Sequence, residues 1–155
     1  HPALVVMAMA RICLGAEKQA KTRISGHRVE CQFHRADEAI AMAAMYTANH
    51  YDIKGIIALT ETGATPLWMS RIRSGIPIYG LARSLRTTRR LALYRGVYTL
   101  YFDIDKAPKG NISQFAIEEL KKHNFLRKGE RVLITYGDLL KITGGTNTLK
   151  ILEVN

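Results

Sequence analysis

The chain has 155 residues, 47% of them hydrophobic and 23% charged, with a formal charge of +10 at pH 7. That length allows one domain with a real core, or one domain and a fragment, and the composition is that of a soluble globular protein. No apolar run approaches the roughly 20 residues needed to span a bilayer, and the opening His1-Pro2-Ala3 lacks the ordered regions of a signal peptide. Cys13 and Cys31 have neither metal-ligand nor CxxC spacing, so nothing requires an oxidising compartment and a cytoplasmic location is expected. The positive surplus favours an anionic partner without choosing among nucleic acid, a membrane surface and a phosphorylated metabolite.

Residues 3–20, ALVVMAMARICLGAEKQA, read as a helix with Pro2 near its first turn. It is apolar nearly all round and so needs burial on more than one side, with Cys13 expected as a small core residue. In so short a chain this hints at a missing neighbour. Residues 21–34 mix charges with Ser25-Gly26 and read as a linker. A second helix follows from about Ala36 to Asn49, with Asp37 and Glu38 in its first turn, where carboxylates suit the helix dipole.

The pattern then alternates. A short buried strand at 55–60 leads to a helix at 66–73, which Gly75 is placed to end. A strand at 76–82, a helix at 86–95 closed by Gly96, and a strand at 97–102 come next. A helix at 113–123 follows, with Ser113 as candidate cap and Glu118, Glu119, Lys121 and Lys122 on its wet side. Strands at 131–136 and 147–154 close the chain. This order predicts an α/β fold: a three-layer domain with a mixed, mostly parallel five-stranded sheet and helices on both faces. About ten residues separate the last two strands, too few for a comfortable parallel crossover, so the last is expected to run antiparallel.

Ligands of open α/β sheets bind beyond the carboxyl ends of strands. The turn TETGAT, residues 60–65, lies there. Thr60 ends the strand, Gly63 permits a tight turn and close backbone approach, and Thr65 is read as the cap of a helix beginning at Pro66. Free amides at a helix start suit a phosphate, and three threonine hydroxyls add donors. Thr65-Pro66 equally fits an ordinary helix start. The spacing is not that of a P-loop, which argues against a nucleoside triphosphatase. A second turn, ITGGTN at 142–147, either reaches the same place through Gly144, Gly145 and Thr146 or is a plain Gly-Gly connection. No histidine pair has metal-binding spacing, no GxSxG elbow appears, and no carboxylates are spaced for acid–base work, so neither a catalytic nor a metal site is expected. The competing reading is a basic nucleic-acid-binding module on RSLRTTRRLALYRG. There Arg83, Arg86 and Arg90 fall within about 100° on a helical wheel with Arg89 adjoining, though no aromatic residues interleave for stacking.

The segments HPALVVMAMARICLGAEK, EAIAMAAMY, IIALTETGATPLWMSRIRSGIPIYGLAR, LALYRGV and TGGTNTLKI, taken in order, resemble bacterial pyruvate kinase. The first is similar to the last helix of that family's catalytic barrel and the others to its C-terminal regulatory domain, so the resemblance covers nearly the whole chain. It implies a barrel remnant at 1–20 and an effector domain at 21–155. The parent reaction would be phosphoryl transfer from phosphoenolpyruvate to ADP, a step of glycolysis, using Mg2+ or Mn2+ with K+. Its residues would lie upstream of His1, so this chain alone should be neither catalytic nor cofactor-dependent.

The resemblance also implies that the domain is allosteric, binding an activating sugar phosphate through Thr60, Thr62, Gly63, Thr65 and the Ala64 amide. Gly144, Gly145 and Thr146 would lie across the pocket. Relatives that bind fructose 1,6-bisphosphate commonly carry a tryptophan and an arginine between the third strand and the next helix. DIDKAPKGNISQF has neither, and Ala64 stands where many relatives have a cation. A sugar monophosphate is therefore expected, with Arg83 supplying part of the missing charge. The family's tetramers imply a homo-oligomeric parent. The N-terminal helix, without its barrel, is expected to fold back or to drive association.

Overall fold

A computed structural model describes residues 1–18, 32–108, 110–137 and 145–155. Among these, helix α1 spans Pro2–Glu17, α2 Ala36–His50, α3 Ala64–Ser70, α4 Leu85–Leu91 and α5 Ile112–Lys122. The strands are β1 Gly55–Leu59, β2 Ile78–Ala82, β3 Val97–Tyr101, β4 Arg131–Tyr136 and β5 Thr148–Glu153. A short 3-10 segment, Ile104–Lys106, follows β3.

The five strands form one sheet in the order β3-β2-β1-β4-β5. The first four are parallel, and β5 runs antiparallel to β4, from Arg131 opposite Glu153 to Tyr136 opposite Thr148. The expected mixed sheet is thus the observed one. Strands β1 and β2 are buried along their whole length, which is why they read as unbroken apolar runs rather than alternating ones.

Two layers of side chains clothe the sheet. On one face α2 and α3 bring Ala41, Ala44, Met45 and Met69 against Ile56, Ala58, Ile78 and Leu133. On the other, α5 brings Ala116, Ile117 and Leu120 against Ile57, Leu59, Leu81, Val132 and Ile134. Each such large side chain removed from water contributes about 1.5–3 kcal/mol. Asp37, in the first turn of α2, is fully buried, with Arg35 Nε and Nη2 donating to its two oxygens at 2.9 and 2.7 Å.

Several local expectations are corrected. Helix α3 starts two residues early because Gly63, at φ 85°, serves as its N-cap. Thr65 is therefore inside the first turn, and its hydroxyl makes no cap bond. The same helix stops at Ser70, well before Gly75. Strand β2 begins at Ile78 because Pro77, which precedes it, has no N–H to give the ladder. Helix α4 ends at Leu91, after which Leu93 and Tyr94 donate to the carbonyls three residues back, and Gly96 turns the chain at φ 68°. Asn111, not Ser113, precedes α5, and it makes no side-chain cap bond either.

Helix α1 contains no buried residue; Cys13 is exposed rather than in a core, and the helix does not fold back over the sheet. It is tied to the α/β unit at its last residue, where Arg95 Nε lies 3.3 Å from Glu17 Oε1.

Candidate functional site

The strand order explains where a ligand site belongs. Connections run outward from β1 to β2 and β3, then return to place β4 on the other side of β1. The crevice beyond the carboxyl ends of β1 and β4 is the topological switch point, where crossovers part and leave room for a ligand. The 60–65 turn leaves β1 at that point.

The turn is built from its own hydroxyls. Thr60 continues the pairing of β1, its N–H donating to the Leu81 carbonyl at 3.0 Å, while its Oγ1 accepts from the Gly63 N–H at 2.9 Å. That bond folds residues 60–63 into a loop and delivers Gly63 to the left-handed conformation in which glycine pays no steric penalty. Helix α3 then starts, Leu67 N–H donating to the Gly63 carbonyl. Among the described residues no oxygen accepts from the amides of Ala64 or Thr65.

The β4–β5 connection meets the turn. Thr65 Oγ1 and Thr146 Oγ1 are 2.8 Å apart, both buried, across 81 positions of sequence. Gly145 is drawn close to the end of β4, where a Cβ on Gly137 would run into the Gly145 carbonyl. Thr135, fully buried two residues before that glycine, has a hydroxyl with no partner among the described residues.

The other side of the turn is held by β2 and α4. Thr87 Oγ1 donates to the Glu61 carbonyl at 3.0 Å, and Arg90 Nη1 approaches the Thr62 carbonyl at 3.4 Å. Leu91, fully buried, fills the notches left by two glycines: a Cβ on Gly63 would come within 3.0 Å of its Cδ2, and one on Gly80 within 2.8 Å of its Cδ1. Arg83 Nε lies 3.0 Å from Glu61 Oε2.

Of the residues singled out in the sequence, Thr60, Thr62, Gly63, Ala64, Thr65, Gly145 and Thr146 converge here. Gly144 lies outside the described residues. Arg83 is beside the turn but engaged by Glu61. Sequence reasoning passed over Glu61, Thr87 and Leu91. A carboxylate inside the turn was visible in TETGAT, but nothing local shows that α4 crosses against it. Arg86 and Arg89 are exposed on α4, and no three His, Cys, Asp or Glu side chains converge into a metal-binding group among the described residues.

Fold and turn together define a doubly wound α/β domain with a threonine-rich turn at its switch point. A family model described as the α/β domain of pyruvate kinase matches residues 38–152, and the chain belongs to that family. It is 45% identical over 156 residues to pyruvate kinase II of Salmonella typhimurium and 46% identical over 155 residues to pyruvate kinase of Buchnera aphidicola subsp. Acyrthosiphon pisum. Pyruvate kinase of Leishmania mexicana is 28% identical over 161 residues. Each alignment takes in 99% of this chain and 32% of the relative, so the chain spans about a third of their length. The resemblance read from the motifs is confirmed at the level of the family.

Proposed function

We propose that this chain is the effector-binding domain of a pyruvate kinase and that the 60–65 turn receives the phosphate of a phosphorylated sugar. The observation that carries the reading is the meeting of Thr65 and Thr146 at the switch point, which brings the β4–β5 connection against a turn whose Ala64 and Thr65 amides have no acceptor among the described residues. A phosphate offers only acceptors and negative charge, so this surface of donors is its complement. Thr60, Thr62, Gly63, Ala64 and Thr65 would hold it, with Gly145 and Thr146 across the pocket.

A single phosphate is favoured over a bisphosphate. Beside the turn, Arg83 is already paired with the carboxylates of Glu61 and Asp105. That is a poor place for a second dianion.

In the parent enzyme the phosphoryl transfer from phosphoenolpyruvate to ADP, with its Mg2+ or Mn2+ and K+, would belong to a catalytic barrel whose remnant is residues 1–20, with α1 part of its last helix. The domain proper is 21–155. No helix among the described residues is long and apolar enough to cross a membrane. For the parent we propose a cytoplasmic homo-oligomer.

A thermal-shift titration with glucose 6-phosphate, ribose 5-phosphate, AMP and fructose 1,6-bisphosphate, at two salt concentrations, tests this. A ligand at about a hundred times its dissociation constant adds roughly 2.7 kcal/mol, a shift of several degrees. Stabilisation by a sugar monophosphate that Thr62→Ala abolishes is the expected result. The exposed Arg86 and Arg89 favour the second reading, a nucleic-acid surface. Stabilisation by duplex DNA alone, lost as salt rises, would put that reading in its place.

A further inference from the structure

Arg83 stands where an anion ligand is wanted, at the end of β2 and beside the turn, yet its guanidinium is committed to carboxylates. Nε is 3.1 Å from Glu61 Oε1 and 3.0 Å from Oε2, and Nη1 is 3.8 Å from Asp105 Oδ2 on the 3-10 segment. Glu61 is itself a member of the turn, between Thr60 and Thr62. Left unpaired, a carboxylate there would repel any phosphate bound to the neighbouring hydroxyls and amides.

The topology says where Arg83 draws that carboxylate. The crevice opens between β1 and β4, whereas Arg83 sits at the end of β2, on the opposite side of β1. Pairing with Arg83 therefore pulls Glu61 away from the crevice and cancels its charge. The guanidinium reaches both oxygens of Glu61 from Nε and still faces Asp105, an arrangement that a lysine's point charge does not reproduce. We infer that Arg83 is a positioning residue of the anion site and not one of its ligands: it keeps Glu61 from opposing the phosphate. This rests on the reading of the 60–65 turn as a phosphate site.

Both side chains are about one-third exposed, at 31% and 32%, so the pair adds little to stability and its loss should leave the fold standing. The effect belongs in binding. Calorimetric titration of the chain at low salt, with inorganic phosphate and with glucose 6-phosphate, separates the two roles of Arg83. Arg83→Gln is expected to weaken binding about 5–10-fold, as one freed negative charge near a dianion should. Glu61→Gln binds at least as tightly as the parent sequence. The double variant E61Q/R83Q returns to within about twofold of it, because the charge that Arg83 was restraining is gone. Added salt shrinks the loss in Arg83→Gln.

A double variant as weak as Arg83→Gln would overturn the inference, for Arg83 would then grip the phosphate itself, while the site reading stood. Unchanged binding in Arg83→Gln would overturn it too. If the unmodified chain binds neither probe, or Thr62→Ala changes nothing, the reading of the turn fails and the inference falls with it. The double variant leaves no carboxylate inside the turn, and it decides the question even where Arg83→Gln is too unstable to titrate.

Discussion

Gly63→Ala tests the construction of the turn. Gly63 adopts φ 85°, where an L-residue is strained by about 1–2 kcal/mol. Its new Cβ would also stand 3.0 Å from Leu91 Cδ2 and 3.8 Å from Thr87 Cγ2. Leu91 cannot simply swing aside, because its other methyl already fills the notch over Gly80. Crowding of this kind adds about 1–2 kcal/mol. The sum, about 2–4 kcal/mol, should lower the melting temperature by about 5–12 °C for a domain of this size. Thermal and urea unfolding of Gly63→Ala would be measured beside Gly75→Ala, where nothing lies within 4 Å and little change is expected. In a Leu91→Ala background the crowding disappears and only the strain remains, so Gly63→Ala should then cost about 1–2 kcal/mol. A melting temperature within about 1 °C of the parent, or an equal cost in both backgrounds, would refute the reasoning.

Thr65→Val strands the buried Thr146 hydroxyl and should cost about 1–3 kcal/mol in urea unfolding, with Thr65→Val/Thr146→Val costing less than the sum of the single changes. Additive costs would mean the two hydroxyls do not interact in solution. Thr135→Val removes a buried hydroxyl without a partner among the described residues, so it should be neutral or stabilising by up to about 1 kcal/mol; a clear loss of stability would reveal a bound water there. Tyr79 donates to the Phe125 carbonyl at 3.1 Å, and burial, with the nearby Glu130 charge, raises its phenol above the ordinary value. Because the folded pKa is the higher one, its contribution is whole below about pH 10 and is lost as pH rises through the folded value. Tyr79→Phe should cost about 0.5–1.5 kcal/mol at pH 7 and lose less stability than the parent on going to alkaline pH; identical alkaline losses in the two proteins would contradict this.

Much of the fold was legible because its signals are local. Unbroken apolar runs at Ile56–Leu59 and Val132–Ile134 announce strands buried on both faces, and the alternation of strand and helix announces the parallel sheet. The short link before Thr148 announced the antiparallel β5. The element ends were harder. Thr65-Pro66 and Ser113 both look like helix starts, but each lost that role to an upstream residue, Gly63 with its positive φ and Asn111 with its non-helical ψ of 33°. Helix α1 shows what composition cannot say: an apolar helix demands a partner, yet nothing among the described residues buries it.

The hydroxyls and glycine of TETGAT were visible as a candidate anion turn from the residue types alone, since donor chemistry and backbone freedom are properties of single residues. Their surroundings were not. Which strand flanks β1 decides where the crevice opens, and only the packed sheet decides that. Thr65 meets Thr146 across 81 positions, Leu91 seats in the notches of Gly63 and Gly80, and Arg83 pairs with Glu61 across 22. Each is a contact between residues distant in the chain. A local pattern sets what a side chain can do, and the tertiary structure chooses the neighbour to which it does it.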